Sequence, residues 1–336
     1  AYISNPDPNL GSLESWDYFK PLRRTRLISG ADIPLVIRET VEIQHELGVD
    51  ACIAPNLFIR NADSIDTAIA LNFLNQTKAQ AAEVTDRPVL GTIAIHRDAL
   101  LSNNNFRDIL DGLTGLDNPP DGYYLVVGSN QLQSTGNYIR SDLYDPEIIA
   151  AWMYMNYVLS LNGANIVNGY CFQLSPLMAI CGAHACASGW SSGLRKFCIN
   201  KYLRQGRGGS QPNARYVSNP LLSFIRQTDY ADYKAVVPEI ANGLQMDAVY
   251  DARDANQTEQ AQQAWEALTA ISQDYSGDLA NIGDELGRFT ARVEEAKRLW
   301  SYIQGAGFIE ETEQNLERLD AMLEGVQLFT EWAELA

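Results

Sequence analysis

The chain has 336 residues, 46% of them hydrophobic and 20% charged, the balance of a globular protein rather than a disordered or fibrous one. Its length suits one barrel-sized domain, or a domain of about 240 residues followed by a smaller one. Asp and Glu number 42 against 25 Lys and Arg, and the net charge of −17 argues against a protein that coats nucleic acid with its whole surface.

Helical and extended patterns alternate along the chain. Residues 24–30, RTRLISG, read as a strand. Residues 33–48 carry an amphipathic helical pattern, with Asp32 as N-cap and Gly48 as the stop. Residues 49–59 are extended, 64–84 helical, and 87–96 an apolar, partly β-branched strand. A short helix at 106–115 precedes GYYLVVG at 122–128, the clearest strand in the chain. Pro146 and Glu147 open a helix that Gly163 closes. Residues 164–170 are extended, 172–182 helical and 183–190 extended, and 214–225 supplies one further strand.

Uncharged strands between amphipathic helices predict a parallel sheet with crossover helices on both faces. No G-x-G-x-x-G follows the first strand, so the expected fold is α/β, a (β/α)8-type, TIM-like barrel, complete or truncated, rather than a doubly wound sheet. After about residue 235 the strand signals stop. Leu279, Ile282, Leu286, Phe289, Val293, Ala296, Trp300 and Ile303 step by three or four along one stripe. Leu316, Leu319, Leu323, Val326 and Phe329 make another. The expected organisation is a barrel-like domain over 1–240 and an acidic helical domain over 241–336. That second domain packs on the barrel, dimerises or holds a partner helix.

The charge is unevenly spread. Residues 247–336 hold 19 acids and 6 bases, while no Asp or Glu occurs between Glu147 and Asp229. That window contains Arg195, Lys196, Lys201, Arg204, Arg207, Arg215 and Arg226. Its front part, from Ile148 to Leu194, also lacks Lys and Arg. The longest strongly apolar piece there is about 14 residues, short of a bilayer span, so buried core is expected and no membrane segment. Five cysteines, an odd number without a C-x-x-C pair, suggest reduced thiols in a cytoplasmic protein. The opening residues do not read as a secretory leader, and the sequons at Asn75 and Asn256 read as chance matches. His45, His96 and His184 are scattered, and Cys181, His184 and Cys186 lack a zinc spacing, so no metal site is expected. No motif names a cofactor.

In such barrels, sites form where strands end at the carboxyl face. That rule selects Asn56, Arg60, His96, Arg97, Asp98, Asn130, Tyr170, Ser188, Gly189, Trp190 and Arg195 as candidates. His96 has the chemistry of a general base, which Asp98 orients or assists, and Arg97 that of an anion clamp. The alternative for the trio is a solvated loop in which Asp98 caps a helix. Residues 182–193, GAHACASGWSSG, resemble the penultimate strand and loop of phosphate-binding (β/α) barrels, which run Gly-Ala-Asp, a small apolar strand and then a glycine. Here His184 stands where Asp is usual. The resemblance covers a dozen residues and implies an anion site in which backbone N–H groups, backed by Arg195 and Lys196, approach a phosphate.

The bases Arg195, Lys196, Lys201, Arg204, Arg207 and Arg215 are interleaved with Phe197, Tyr202 and Tyr216. Such a segment contacts a nucleic acid backbone with stacked bases, or is neutralised by the acidic tail. Two functions stay open. One is an enzyme or enzyme-like barrel that binds a phosphorylated or nucleotide-like ligand at the strand ends. The other is a non-catalytic subunit that binds a partner through the acidic tail and nucleic acid or an acidic surface through 195–226.

Overall fold

Uncharged β-branched runs in the first half of the chain build a parallel sheet, in a computed structural model that describes residues 24–130, 142–189, 195–198 and 214–335. The described residues are mixed α/β, 58% helical, with a curled half-barrel sheet and a helical C-terminal region. The described residues divide into two compact units. The first takes 24–130, 158–169 and 197–198; the second takes 142–157, 170–189, 195–196 and 214–335.

In the first unit the chain starts with helix α1 (Arg24–Ile28), where the pattern suggested a strand. Only Leu27 of α1 is buried, and Arg24 and Arg26 reach out to Asp66 and Asp32, 2.8 and 2.6 Å away. One buried side chain per turn suits a helix and gives a sheet nothing to hold. Helix α2 (Ile33–Glu46) begins where predicted, but the Asp32 carboxylate is taken by Arg26 and caps nothing. Short strands β1 (Cys52–Ile53) and β2 (Phe58–Ile59) precede helix α3 (Ile65–Ala81), whose Ser64 hydroxyl accepts from the Thr67 N–H. Strand β3 (Val89–His96) is followed by helices α4 (Arg97–Leu100) and α5 (Asn103–Thr114) and by strand β4 (Gly122–Gly128). Helix α6 (Pro146–Leu161), whose residues 146–157 belong to the second unit, precedes strand β5 (Asn165–Gly169).

β3 is central. It pairs in parallel with β1, with β2 and, from Leu90↔Gly122 to His96↔Gly128, with β4; β4 pairs in parallel with β5. Among the described residues these strands do not close into an eight-stranded barrel. Leu27, Ile33, Ile37, Val41, Cys52, Ile69, Phe73 and Val89 form a core from α1, α2, α3, β1 and β3. The Asn75 amide of one sequon accepts the Asn118 N–H at 2.8 Å.

In the second unit, helix α7 (Ser175–Ile180) and strand β6 (Ala185–Ala187) precede a hairpin of β7 (Arg215–Ser218) and β8 (Ser223–Arg226). The hairpin replaces the single strand expected at 214–225, and it is antiparallel. The reason is local: Pro220 cannot donate to a ladder, and Leu222 sits at φ 46°, so the chain turns back. Helices α8 (Gln227–Val236), α9 (Asp247–Ala252), α10 (Gln257–Gln273), α11 (Ile282–Gly305) and α12 (Ile309–Trp332) follow.

The predicted stripe is buried along α11 from Ile282 to Ile303, while its first residue, Leu279, lies before the helix and is only half-buried; α11 packs on α12. Residues Ile148 to Met153 of α6 are wholly buried, as an all-round apolar helix requires. Asn156 there is satisfied by the Trp152 carbonyl at 2.9 Å. No helix among the described residues is long and apolar enough to cross a membrane.

Candidate acid–base site

The carboxyl end of β3 carries the sharpest arrangement. His96 is the last residue of β3 and the N-cap of α4. Because a helix begins at Arg97, the backbone folds Asp98 back over His96 instead of alternating it to the far face. The Asp98 N–H donates to His96 Nδ1 at 3.3 Å, and the Asp98 carboxylate lies 3.3 Å from the same nitrogen. His96, not Asp98, is therefore the cap. In the tautomer with Nδ1 accepting, the Nε2–H donates to Asn130 Oδ1 at 2.6 Å. The Asn130 amide N–H group in turn faces both Asp98 carboxylate oxygens at 3.4 Å.

These three residues close a loop of polar contacts. The His96 side chain is only 6% exposed, whereas the Asp98 side chain is 53% exposed. Arg97 Nη1 approaches Asp98 at 3.5 Å. The protonated ring donates from Nδ1 toward the Asp98 carboxylate, at the cost of the cap, and from Nε2 toward Asn130.

An aromatic wall fixes the ring. Phe58 of β2 meets the imidazole edge-on, with centroids 5.6 Å apart, and Phe197 lies 5.9 Å beyond Phe58. Gly128 makes room, since a Cβ there would overlap the Phe58 ring. The Phe197 carbonyl accepts the Ser129 N–H at 2.8 Å, which ties 197 to the end of β4. Arg60 reaches over Phe58, 5.8 Å from its centroid.

Asn56 has a different job. It donates to the Thr92 carbonyl at 2.6 Å and accepts the Leu57 N–H at 2.7 Å, bridging the gap between β1 and β2. Its amide is spent on backbone.

The remaining candidates belong to the second unit or lie outside the described residues. Tyr170, at φ 62°, donates its N–H to the Ala187 carbonyl at 2.8 Å. Ser188 has a buried hydroxyl with no hydrogen-bond partner, and Gly189 is half-buried. Arg195 lies over the Phe172 ring at 4.8 Å, and Arg215 over Phe224 at 4.9 Å. Lys196 is half-buried. Trp190, Lys201, Arg204 and Arg207 lie outside the described residues.

The second unit also holds two neighbouring thiols. Cys171 Sγ touches Ser175 Oγ at 3.3 Å, and Cys186 Sγ donates to the Ser175 carbonyl at 3.5 Å. The hydrogen bond from Cys186 holds the Cys171 thiol below its ordinary value, and the same bond, with burial, raises Cys186. Among the described residues no group of three or more His, Cys, Asp or Glu is placed to hold a metal ion.

Sequence reasoning missed Phe58, whose one signal was its place in the short strand that pairs with the end of β3. No protein-family model matches this chain, and neither a curated protein nor a solved structure matches it.

Proposed function

We propose that the first unit is an enzyme-like ligand site for a phosphorylated or nucleotide-like anion, at the carboxyl ends of its parallel strands. In this reading His96 moves a proton with the help of Asp98. The observation that carries it is the His96–Asn130–Asp98 contact loop at the end of the central strand. Open parallel sheets bind ligands beyond the carboxyl ends of their strands, which is where this loop lies. Arg97 and Arg60 bring positive charge to the same edge. Phe58 and Phe197 offer an apolar wall for a base or ring.

The test is a thermal-shift screen of phosphorylated metabolites against the parent chain and His96→Gln. A stabilising metabolite whose effect is reduced in His96→Gln supports the reading. No stabilisation by any anion, or an effect untouched by the substitution, overturns it.

A second reading is an interaction subunit that binds a partner through its acidic helices. It is favoured by the exposure of Trp265, Tyr302 and Ile309, at 46%, 54% and 55%, on α10, α11 and α12. Sedimentation of the purified chain alone and with its co-purifying proteins tests it.

A further inference from the structure

Arginines gather around two touching phenylalanines in the second unit. Phe172 and Phe224 have centroids 5.8 Å apart. Arg195 covers Phe172 at 4.8 Å, and Phe224 is approached by Arg215 at 4.9 Å and by Arg318 at 5.7 Å. Arg318 is 2% exposed and donates to the Leu222 carbonyl at 2.8 Å. Arg226 is the cross-strand partner of Arg215. Like charges opposite one another on a ladder destabilise it.

The buried polar groups left open here are donors. Arg195 Nε is buried without a hydrogen-bond partner, and among the described residues no carboxylate lies within ion-pair distance of Arg195. Gln173 follows Phe172; its Oε1 accepts from Tyr144 OH at 3.2 Å, which turns its N–H group outward, buried and unmatched. The Tyr144 ring lies beneath Arg318, 5.2 Å from its guanidinium, so Gln173 belongs to the same cluster. No Asp or Glu occurs between Glu147 and Asp229, so the chain on either side of Arg195 supplies no neutralising carboxylate. Burial, with the charge of Arg215 adding to it against the opposing effect of Tyr250, pulls Arg195 down to about 10. A desolvated guanidinium beside a like charge is a costly arrangement unless an anion completes it. The backbone is held in the left-handed region at Phe172 and Leu222, φ 41° and 46°, and such strain gathers at ligand sites.

We propose that Arg195, Gln173, Arg215 and Arg318 form a binding site for the phosphoryl group of a small phosphorylated ligand. The guanidiniums supply planar, forked donors that match phosphoryl oxygens, and the phenylalanine faces hold those forks in place. The site shares with the preceding reading the expectation of an anion. It stands on other residues and holds whether or not His96 moves a proton.

The test is calorimetric titration of the full chain with inorganic phosphate and pyrophosphate, alongside melting curves without ligand. Pyrophosphate is expected to bind the parent, and Arg195→Met to weaken that binding at least tenfold. Ligand-free Arg195→Met is expected to melt at or above the parent temperature, because it removes an uncompensated buried charge. Arg195→Lys, which keeps the charge but loses the fork, falls between. The exposed Arg288→Met leaves pyrophosphate affinity unchanged.

Absence of phosphate and pyrophosphate binding by the parent overturns the proposal. So does affinity unaltered in Arg195→Met, or a lowered melting temperature in that variant, which marks a purely structural arginine. Loss of pyrophosphate binding in His96→Gln alone assigns the anion to the other site and also overturns it. A single-stranded RNA that binds far more tightly than pyrophosphate, through the same arginine, replaces the small ligand with a polymer.

Discussion

At Gly128 the missing Cβ matters because the Phe58 ring fills that space and braces His96. Gly128→Ala forces Phe58 or β4 to shift, and overpacking of this kind costs about 1–3 kcal/mol. Denaturant unfolding checks it; an alanine variant as stable as the parent contradicts the packing. Tyrosines give a second residue-scale expectation. Burial pushes Tyr123 up to about 12, and burial, with Asp247 or Asp251 nearby, raises Tyr216, Tyr230 and Tyr250 as well. A folded-state value raised above the ordinary one favours the neutral phenol. That stability is fully present below pH 10.0, the ordinary tyrosine value, and is lost as pH climbs toward about 12 and beyond. Absorbance titration is therefore expected to show these phenols ionising together with unfolding; smooth ionisation in a folded chain refutes it.

Among the elements, α10 is the best-specified helix. Asn256 accepts from the Thr258 and Glu259 N–H groups, and the Glu259 carboxylate accepts the Asn256 N–H in return. The amide that matches a glycosylation sequon is thus a helix cap. Asn256→Ala is expected to cost about 1 kcal/mol, read from the urea midpoint, with Asn256→Asp nearly neutral. In α11, Phe289 is wholly buried on the predicted stripe, and Phe289→Ala is expected to cost about 3–5 kcal/mol. A loss below about 1 kcal/mol would show that the stripe is not core. At β7 the Gln263 side chain donates to the Val217 carbonyl and accepts the Val217 N–H, at 2.8 and 2.9 Å, in place of a neighbouring strand. That pairing is invisible in a helical pattern, because the amide acts across 46 residues.

Over the whole molecule the charge of −17 sets the response to salt. The ion pairs between Arg24 and Asp66 and between Arg298 and Glu295 are exposed, and such pairs contribute little. Self-repulsion of the acidic helices is the larger effect, and salt screens it. The melting temperature is expected to rise between about 10 mM and about 0.5 M sodium chloride. Scanning calorimetry checks this, and a fall with salt would mean that attractive pairs dominate.

The chain by itself determined the kind and order of most elements. Apolar runs without charge marked the parallel strands, and stripes at helical spacing marked α11 and α12, because both signals are local and repeat. It also placed His96, Asp98 and Asn130 at strand ends. Tertiary structure decided the rest. RTRLI became a helix because salt bridges and one buried leucine suit no sheet. The segment 214–225 became an antiparallel hairpin, and the parallel sheet of the described residues stayed a half-barrel. Which side chains meet was decided by contacts between residues distant in sequence, such as His96 with Asn130 and Arg318 with Phe224. A periodic pattern records which face of an element is buried, but not which element covers it, and both candidate sites depend on that second fact.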